Sequence, residues 1–359
     1  MKDKARVLIV DDSAIVRSIL ERELAKFPDI EIVGTASDPY RARDKILSLK
    51  PDIMTLDIEM PRMDGLTFLQ KLSRYFPLPV IIVSSVTAAD PGAIIKAMDF
   101  GAVDVVNKPS GNLSVESVIK EIYFKIMQAY QVKDTFITRR NMVQMELRTF
   151  KRTATASSAV EKTLKNVETT DKIIAIGSST GGTLALEFLF KNFPAYLPPV
   201  LVVQHMPEGY TKAFADRLNG LSQLNIKEAE DGEMVNAGTA YIARGNYHMT
   251  LVRKGAYLYI RFNQNDKINF QRPAADVLFD SLAEVAGKNV LAFLLTGMGS
   301  DGAKGLKNLK DAGAYTVAQE RESCIVWGMP RAAVEIGAHK EEIPLTDIPD
   351  SLPRLLKLI

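Results

Sequence analysis

The sequence predicts an α/β protein built from two domains, each a parallel sheet covered by helices. Three observations lead there. Apolar, β-rich runs alternate with segments of helical periodicity over residues 1–126, and again over 171–359. A polar, basic stretch, 127–170, separates the two series and reads as a linker. The length of 359 residues exceeds that of one ordinary domain.

The first series is regular. RVLIV is followed by SAIVRSILERELAKF, IEIVGTA by PYRARDKILSLK, and DIMTLD by GLTFLQKLSRYF. VIIVSS precedes GAIIKAMDFG, and VDVVNKP precedes ESVIKEIYFKIM. Five β–α units predict a parallel sheet with helices on both faces, whose working residues collect beyond the carboxyl ends of the strands. The intervening stretch holds RTFKRTATASSAVEKT. Residues 125–170 carry a net charge of +5, against −2 before and −1 after, as expected of a solvated tether or of a segment that docks on an acidic partner. In the second series KIIAIGS, PVLVVQH, VLAFLLTG and AYTVAQ read as strands. TLALEFLFKNF, GYTKAFADRLNGL, AADVLFDSLAEVA and AKGLKNLKDAG read as helices, the last closed by Gly313. TAYIAR, MTLVRK and AYLYIRF are short strands that read as a hairpin region, so the second α/β domain is expected to hold some antiparallel strands.

Composition narrows the function. The overall charge of +2 does not point to nucleic acid, and interleaved strands and helices in 171–359 do not read as a helix-turn-helix. One cysteine, Cys324, excludes an intramolecular disulfide and a cysteine metal cluster, and suits a reducing cytoplasm. The start MKDKARVLIVDDS has no signal-peptide pattern, and no run of about 18 apolar residues predicts a membrane span.

The strand ends of the first series hold Asp11 and Asp12, Asp57, Ser84 and Ser85, and Lys108 before Pro109. Three carboxylates brought together repel one another, so a divalent cation is their natural companion, and oxygen ligands suit Mg²⁺. A carboxylate beside that ion can accept a phosphoryl group, an ammonium can balance the charge, and a hydroxyl can sense the product. This set resembles the receiver domain of two-component response regulators, a flavodoxin-like (βα)5 fold, over about residues 4–126. The resemblance implies phosphorylation of Asp57 and Mg²⁺ held in the acidic set of Asp11 and Asp12, by Asp12, Asp57 and the Glu59 carbonyl. It also implies Ser84 and Lys108 as switch residues. Val105 stands where many receivers carry an aromatic ring.

In the second series, Gly177-Ser178-Ser179-Thr180-Gly181 fits G-x-S-x-G, a serine raised on a strand-to-helix turn. A phosphate-binding helix start and a plain tight turn are alternatives, although neither G-x-G-x-x-G nor a P-loop is present. A nucleophilic serine needs a base and a group to orient that base. Of the three histidines, only His205 ends a long apolar strand. His248 lies between short strands and His339 in a charged stretch. Asp301 follows the strand VLAFLLTG, so Ser179, His205 and Asp301 converge on one rim.

IGSSTGGTLAL, QHMPEGYTKAFADRLN, RPAADVLFDS and LLTGMGSDGAKG are similar to the CheB family of chemotaxis protein-glutamate methylesterases over about residues 171–350. The resemblance implies a doubly wound α/β methylesterase domain with Ser179, not Ser178, as nucleophile, His205 as base and Asp301 as orienting acid. It implies hydrolysis of glutamate methyl esters on methyl-accepting chemoreceptors, deamidation of receptor glutamines, and a chemotaxis histidine kinase as phosphodonor, with no cofactor for hydrolysis and no membrane insertion. An unphosphorylated receiver is expected to restrict the active site. The turns at Thr180 and Met298 are expected to offer oxyanion donors. His248 is expected to be structural or at the substrate edge, and Arg272 to meet either substrate acids or a salt bridge. Cys324, Trp327, Met206 and Met298 are expected to pack.

Overall fold

The computed structural model describes residues 4–60, 63–85, 91–108, 114–150 and 171–359. The chain divides into two compact units, Met1–Arg140 and Asn141–Ile359.

The first unit alternates strictly: β1 (Ala5–Val10), α1 (Ala14–Leu24), β2 (Ile30–Ala36), α2 (Pro39–Leu49), β3 (Ile53–Leu56), α3 (Gly65–Tyr75), β4 (Val80–Ser84), α4 (Pro91–Phe100), β5 (Ala102–Asn107) and α5 (Val115–Thr149). The strands form one parallel sheet in the order β2-β1-β3-β4-β5. The order in which strands are added reverses between β1 and β3, so a crevice opens where Asp11, Asp12 and Asp57 leave the sheet. Helix starts are capped by side chains: Ser13 accepts from Val16 N–H, Asp38 from Tyr40 and Arg41, and Asp64 from Thr67.

Helix α5 runs past residue 126, through the first part of the stretch that the sequence reads as a linker. The physical reason is a buried stripe. Ile126, Ala129, Phe136, Arg140 and Val143 recur at helical spacing and are buried, and no glycine or proline interrupts 115–149. Lys133 pairs with Asp52 at 2.6 Å, and Arg140 donates to the Asp99 carbonyl. The basic charge that suggested a tether is thus partly spent on holding the helix to the unit. Residues 151–170 of the expected linker lie outside the described residues, as does Pro109.

The second unit comprises β6 (Ile173–Ser178), α6 (Gly182–Asn192), β7 (Val200–Gln204), α7 (Thr211–Asn219), β8 (Asn225–Glu228), β9 (Thr239–Ile242), β10 (His248–Lys254), β11 (Tyr257–Asn263), α8 (Ala275–Val285), β12 (Val290–Leu294), α9 (Ala303–Asp311), β13 (Tyr315–Gln319), α10 (Met329–Glu335), β14 (Glu341–Ile343) and α11 (Ile348–Leu355). Its main sheet has the order β14-β13-β12-β6-β7-β9-β8. Every pairing in that sheet is parallel. The antiparallel pairing is confined to the separate β10–β11 hairpin, turned at Gly255. TAYIAR joins the main sheet instead, because β9 is buried on both faces and carries no alternation. The central strands β6, β7 and β12 are fully buried, and their apolar side chains pack against α8 and α9. From β6 the chain winds one way to β7, then returns to β12 on the other side, so a second crevice opens at the carboxyl end of β6.

Candidate functional site

At that end the register sets the first two residues side by side. Ser178 of β6 pairs with Gln204 of β7, so Ser179 and His205 follow in step on adjacent strands. The turn after β6 is tight. Ser179 N–H donates to the Thr296 carbonyl at 3.1 Å, Gly182 N–H donates to the Ser179 carbonyl at 2.7 Å, and Gly181 sits at φ +83°, a conformation that favours glycine. A Cβ on Gly182 would collide with Gln204 Oε1, so close approach fixes that glycine as well.

The two serines differ in their partners. Ser178 is buried, and its hydroxyl donates to Gln204 Oε1 at 2.7 Å. Gln204 Nε2 in turn donates to the Ser179 and His205 carbonyls at 3.0 and 3.1 Å, tying both strand ends together. The Ser179 hydroxyl makes no hydrogen bond among the described residues. His205 presents Nε2 to Asp301 Oδ2 at 2.6 Å, while its Nδ1 is buried without a partner. An ionised Asp301 fixes the imidazole proton on Nε2 and leaves a bare lone pair on Nδ1.

Asp301 is held by the start of α8. Its Oδ2 also accepts from Ala275 N–H at 2.6 Å, and its Oδ1 accepts from Asp276 N–H at 3.1 Å. Burial pushes its carboxyl up, but the His205 hydrogen bond and charge and the two helix amides outweigh burial and hold it below the usual range. The Thr296–Met298 turn presses on the serine from the β12 side. A Cβ on Gly297 would lie 2.9 Å from Ser179 Cβ and collide with Met329 Sδ. Among the described residues the Thr180 and Met298 amides donate to no protein acceptor, and the Thr180 hydroxyl is buried without a partner.

His248 is spent structurally: Nε2 meets the Asp266 carbonyl at 3.0 Å and Nδ1 accepts from Ala274 N–H at 3.2 Å, with burial pushing its pKa down. The Arg272 guanidinium bonds the Asn246 side chain and the carbonyls of Gln264 and Asn265, all neutral acceptors. It makes no salt bridge among the described residues. Cys324 is a buried free thiol, Met206 and Met298 are buried, and Trp327 is half-buried under Arg321. His339 lies 3.8 Å from Glu342.

In the first unit, Asp11, Asp12 and Asp57 each bring a carboxylate oxygen within 4.8 Å of the others, with Asp12 exposed. Lys108 Nζ bridges Asp11 at 2.8 Å and Asp57 at 2.6 Å. Burial raises the Asp57 carboxyl against the pull of Lys108, and the paired carboxylates raise Lys108 against its own burial. Glu59 is exposed, its carboxylate is outside the acidic set, and its N–H donates to Asp57 Oδ1 at 3.2 Å. Ser84 is buried with a hydroxyl that has no partner, and Val105 is buried in β5. Acceptor-only oxygens clustered beside solvent are the donor set that Mg²⁺ takes, so the residues present fit that ion.

Sequence reasoning missed Gln204, Thr296 and Asp276. Gln204 reads as the end of an apolar strand, and Asp276 as an ordinary first-turn helix acid. Only burial distinguishes them. Thr296 Oγ1 accepts from Val326 N–H at 3.0 Å and lies 3.0 Å from the Thr180 carbonyl, so it staples the turn from below.

With this geometry described, comparison with known proteins adds the following. A family model described as CheB methylesterase matches residues 174–352, and one described as response regulator receiver domain matches residues 7–120. A protein of Syntrophus aciditrophicus named protein-glutamate methylesterase/protein-glutamine glutaminase 2 is 50% identical over 353 residues, covering 98% of this chain and 99% of the relative. A Pseudomonas aeruginosa protein of the same name is 43% identical over 96% of this chain and 95% of its own length. The crystal structure of the Thermotoga maritima CheB methylesterase catalytic domain is 43% identical, with a TM-score of 0.50. That match covers 51% of this chain and 98% of the Thermotoga one.

Proposed function

The chain belongs to the CheB methylesterase family, and from that premise we propose that it hydrolyses glutamate methyl esters on methyl-accepting chemoreceptors under the control of Asp57 phosphorylation. One observation carries the reading. Ser179 follows the strand beside that of a histidine whose Nε2 is anchored to a buried carboxylate and whose Nδ1 is buried without a partner.

In this mechanism His205 Nδ1 takes the proton of Ser179 as Oγ attacks the ester carbonyl. Asp301 holds the imidazole in the required tautomer and stabilises the imidazolium. The unspent Thr180 and Met298 amides receive the oxyanion; losing one such donor slows acyl transfer on the order of 10²–10³-fold. His205 returns the proton as methanol leaves, and water then attacks the acyl-enzyme with His205 again as base. The same steps on a glutamine side chain release ammonia, so deamidation is a second activity of one site. The nucleotide-phosphate alternative loses ground because the stretch IGSSTGG lacks the Lys-Ser/Thr ending of a P-loop.

In the receiver, Asp57 is the phosphoacceptor. Asp12, Asp57 and the Glu59 carbonyl, with Asp11 alongside, would hold Mg²⁺, which supplies charge neutralisation for the incoming phosphoryl group. Lys108 neutralises the carboxylates, and Ser84, whose buried hydroxyl has no partner, would bond the phosphoryl oxygen. A chemotaxis histidine kinase is the phosphodonor, and the protein works in the cytoplasm. No helix among the described residues is long and apolar enough to cross a membrane.

The test is methanol release from a methylated receptor fragment, with and without a small phosphodonor and Mg²⁺, beside Ser179→Ala and Asp57→Asn. Release that survives Ser179→Ala refutes the triad. Full stimulation of Asp57→Asn by the phosphodonor refutes the switch.

A further inference from the structure

Helices α8 and α9 both begin without a cap of their own. Ala274, before α8, offers only a methyl group, and Gly302, before α9, has no side chain. Each helix is capped by an acid from the other. Asp301, immediately before Gly302, accepts the first two amides of α8. Asp276, the second residue of α8, accepts the Gly305 amide of α9 at 2.7 Å. The two starts are pressed together. A Cβ on Gly305 would lie 2.8 Å from both the Asp276 carbonyl and Phe279 Cβ. One turn on, Asn308 Nδ2 donates to Asp280 at 2.8 Å.

A cap needs no charge, since serine or asparagine serves equally well. Yet this position keeps an acid, buried at 8% exposure beside a second buried acid at 2%. Burial, then the charge of Asp301, push the Asp276 carboxyl up to about 6. The charged groups that bear on it are Asp301 and, from its own helix, Asp280; from α9 it meets the amides of Gly302 and Gly305. Asp276 thus bears directly on Asp301, through its own amide and through its charge. Asp301 touches His205, which becomes positive in each proton transfer of the proposed esterase reaction.

Resting on that reaction, we propose that Asp276 is a positioning residue of the triad: by accepting the Gly305 amide it locks α9 to α8 so that Asp301 is held against His205.

The experiment compares Asp276→Asn and Asp276→Ala with wild type in the full chain. Hydrogen exchange of the Ala275 amide, which Asp301 accepts, is followed by NMR. Methanol release is measured in parallel. Asparagine keeps the acceptor for Gly305, so the Ala275 amide stays protected and kcat and KM stay near wild type. Alanine frees α9: the amide exchanges faster, and kcat falls between about 10- and 10²-fold with KM unchanged, the scale of a misplaced catalytic group. Wild-type kcat in folded Asp276→Ala overturns the proposal, as does an equal loss in Asp276→Asn. Faster exchange in Asp276→Ala beside a wild-type protein that releases no methanol at all keeps the positioning role and sinks the esterase reading instead.

Discussion

Replacing Asp276 with asparagine should stabilise the second unit at alkaline pH, and the amount follows from the site. The folded protein raises this carboxyl from its ordinary 3.8 to about 6, through burial first and the neighbouring Asp301 charge second. The folded state therefore binds the proton more tightly than the unfolded chain. That contribution is complete below about pH 4 and is lost as pH rises through 6. Above it the wild-type protein carries an ionised group that folding resists by roughly 3 kcal/mol, at about 1.36 kcal/mol per pH unit. Asparagine removes the charge and keeps the bond from Gly305 N–H. At pH 8 the variant should unfold roughly 6–12 °C higher, on the scale of about 2–4 °C per kcal/mol for a unit of this size. At pH 4 the two proteins should melt together. Trp327 is the sole tryptophan of the chain, so its fluorescence follows this unit without interference from the receiver. A variant less stable than wild type at pH 8, or a gain that does not shrink toward pH 4, would refute the reasoning.

Four further outcomes are expected. Ser179→Ala should lower methanol release by at least about 10³-fold. Ser178→Ala should retain activity and lose about 1–2 kcal/mol in chemical denaturation, because Gln204 Oε1 is left unpaired; equal activity loss in both would erase the distinction between the serines. Gly297→Ala should be destabilised by about 1–3 kcal/mol and slowed in kcat, since the added methyl meets Met329 and Ser179; an unchanged melting profile and rate would count against the close approach. Mg²⁺ should stabilise the receiver unit, by about 2.7 kcal/mol when present at 100 times its Kd, and Asp12→Asn should abolish most of that gain in a calorimetric scan; an identical Mg²⁺ response in the variant would remove Asp12 from the ion site.

Much of the site could be read along the chain because strand ends are easy to recognise. An apolar run that stops at Ser179, at His205, or at Asp57 declares both the strand and the rim on which the polar residue stands. The alternation of strands and helices likewise declares a parallel sheet. The linker was harder to read. Its basic residues look solvated in the sequence, but Lys133 is paired with Asp52 and Arg140 is buried in the packing of α5. MTLVRK and AYLYIRF form the expected hairpin, and TAYIAR departs from it for a related reason. β9 and β10 are similar short apolar runs, and only their neighbours decide that one joins the parallel sheet and the other a hairpin.

The sequence by itself determined which chemistry was available: one strand-end serine in a glycine-bordered turn, one strand-end histidine, and acids at the ends of β1, β3 and β12. Those are local properties, carried by residue type and periodicity. The tertiary structure decided which groups are free to act. It spent Ser178 on Gln204 and His248 on Asp266 and Ala274, left His205 Nδ1 bare, and buried Asp276 against Asp301. Hydrogen-bond partners and desolvation come from segments distant along the chain, so reactivity is settled only when those segments meet.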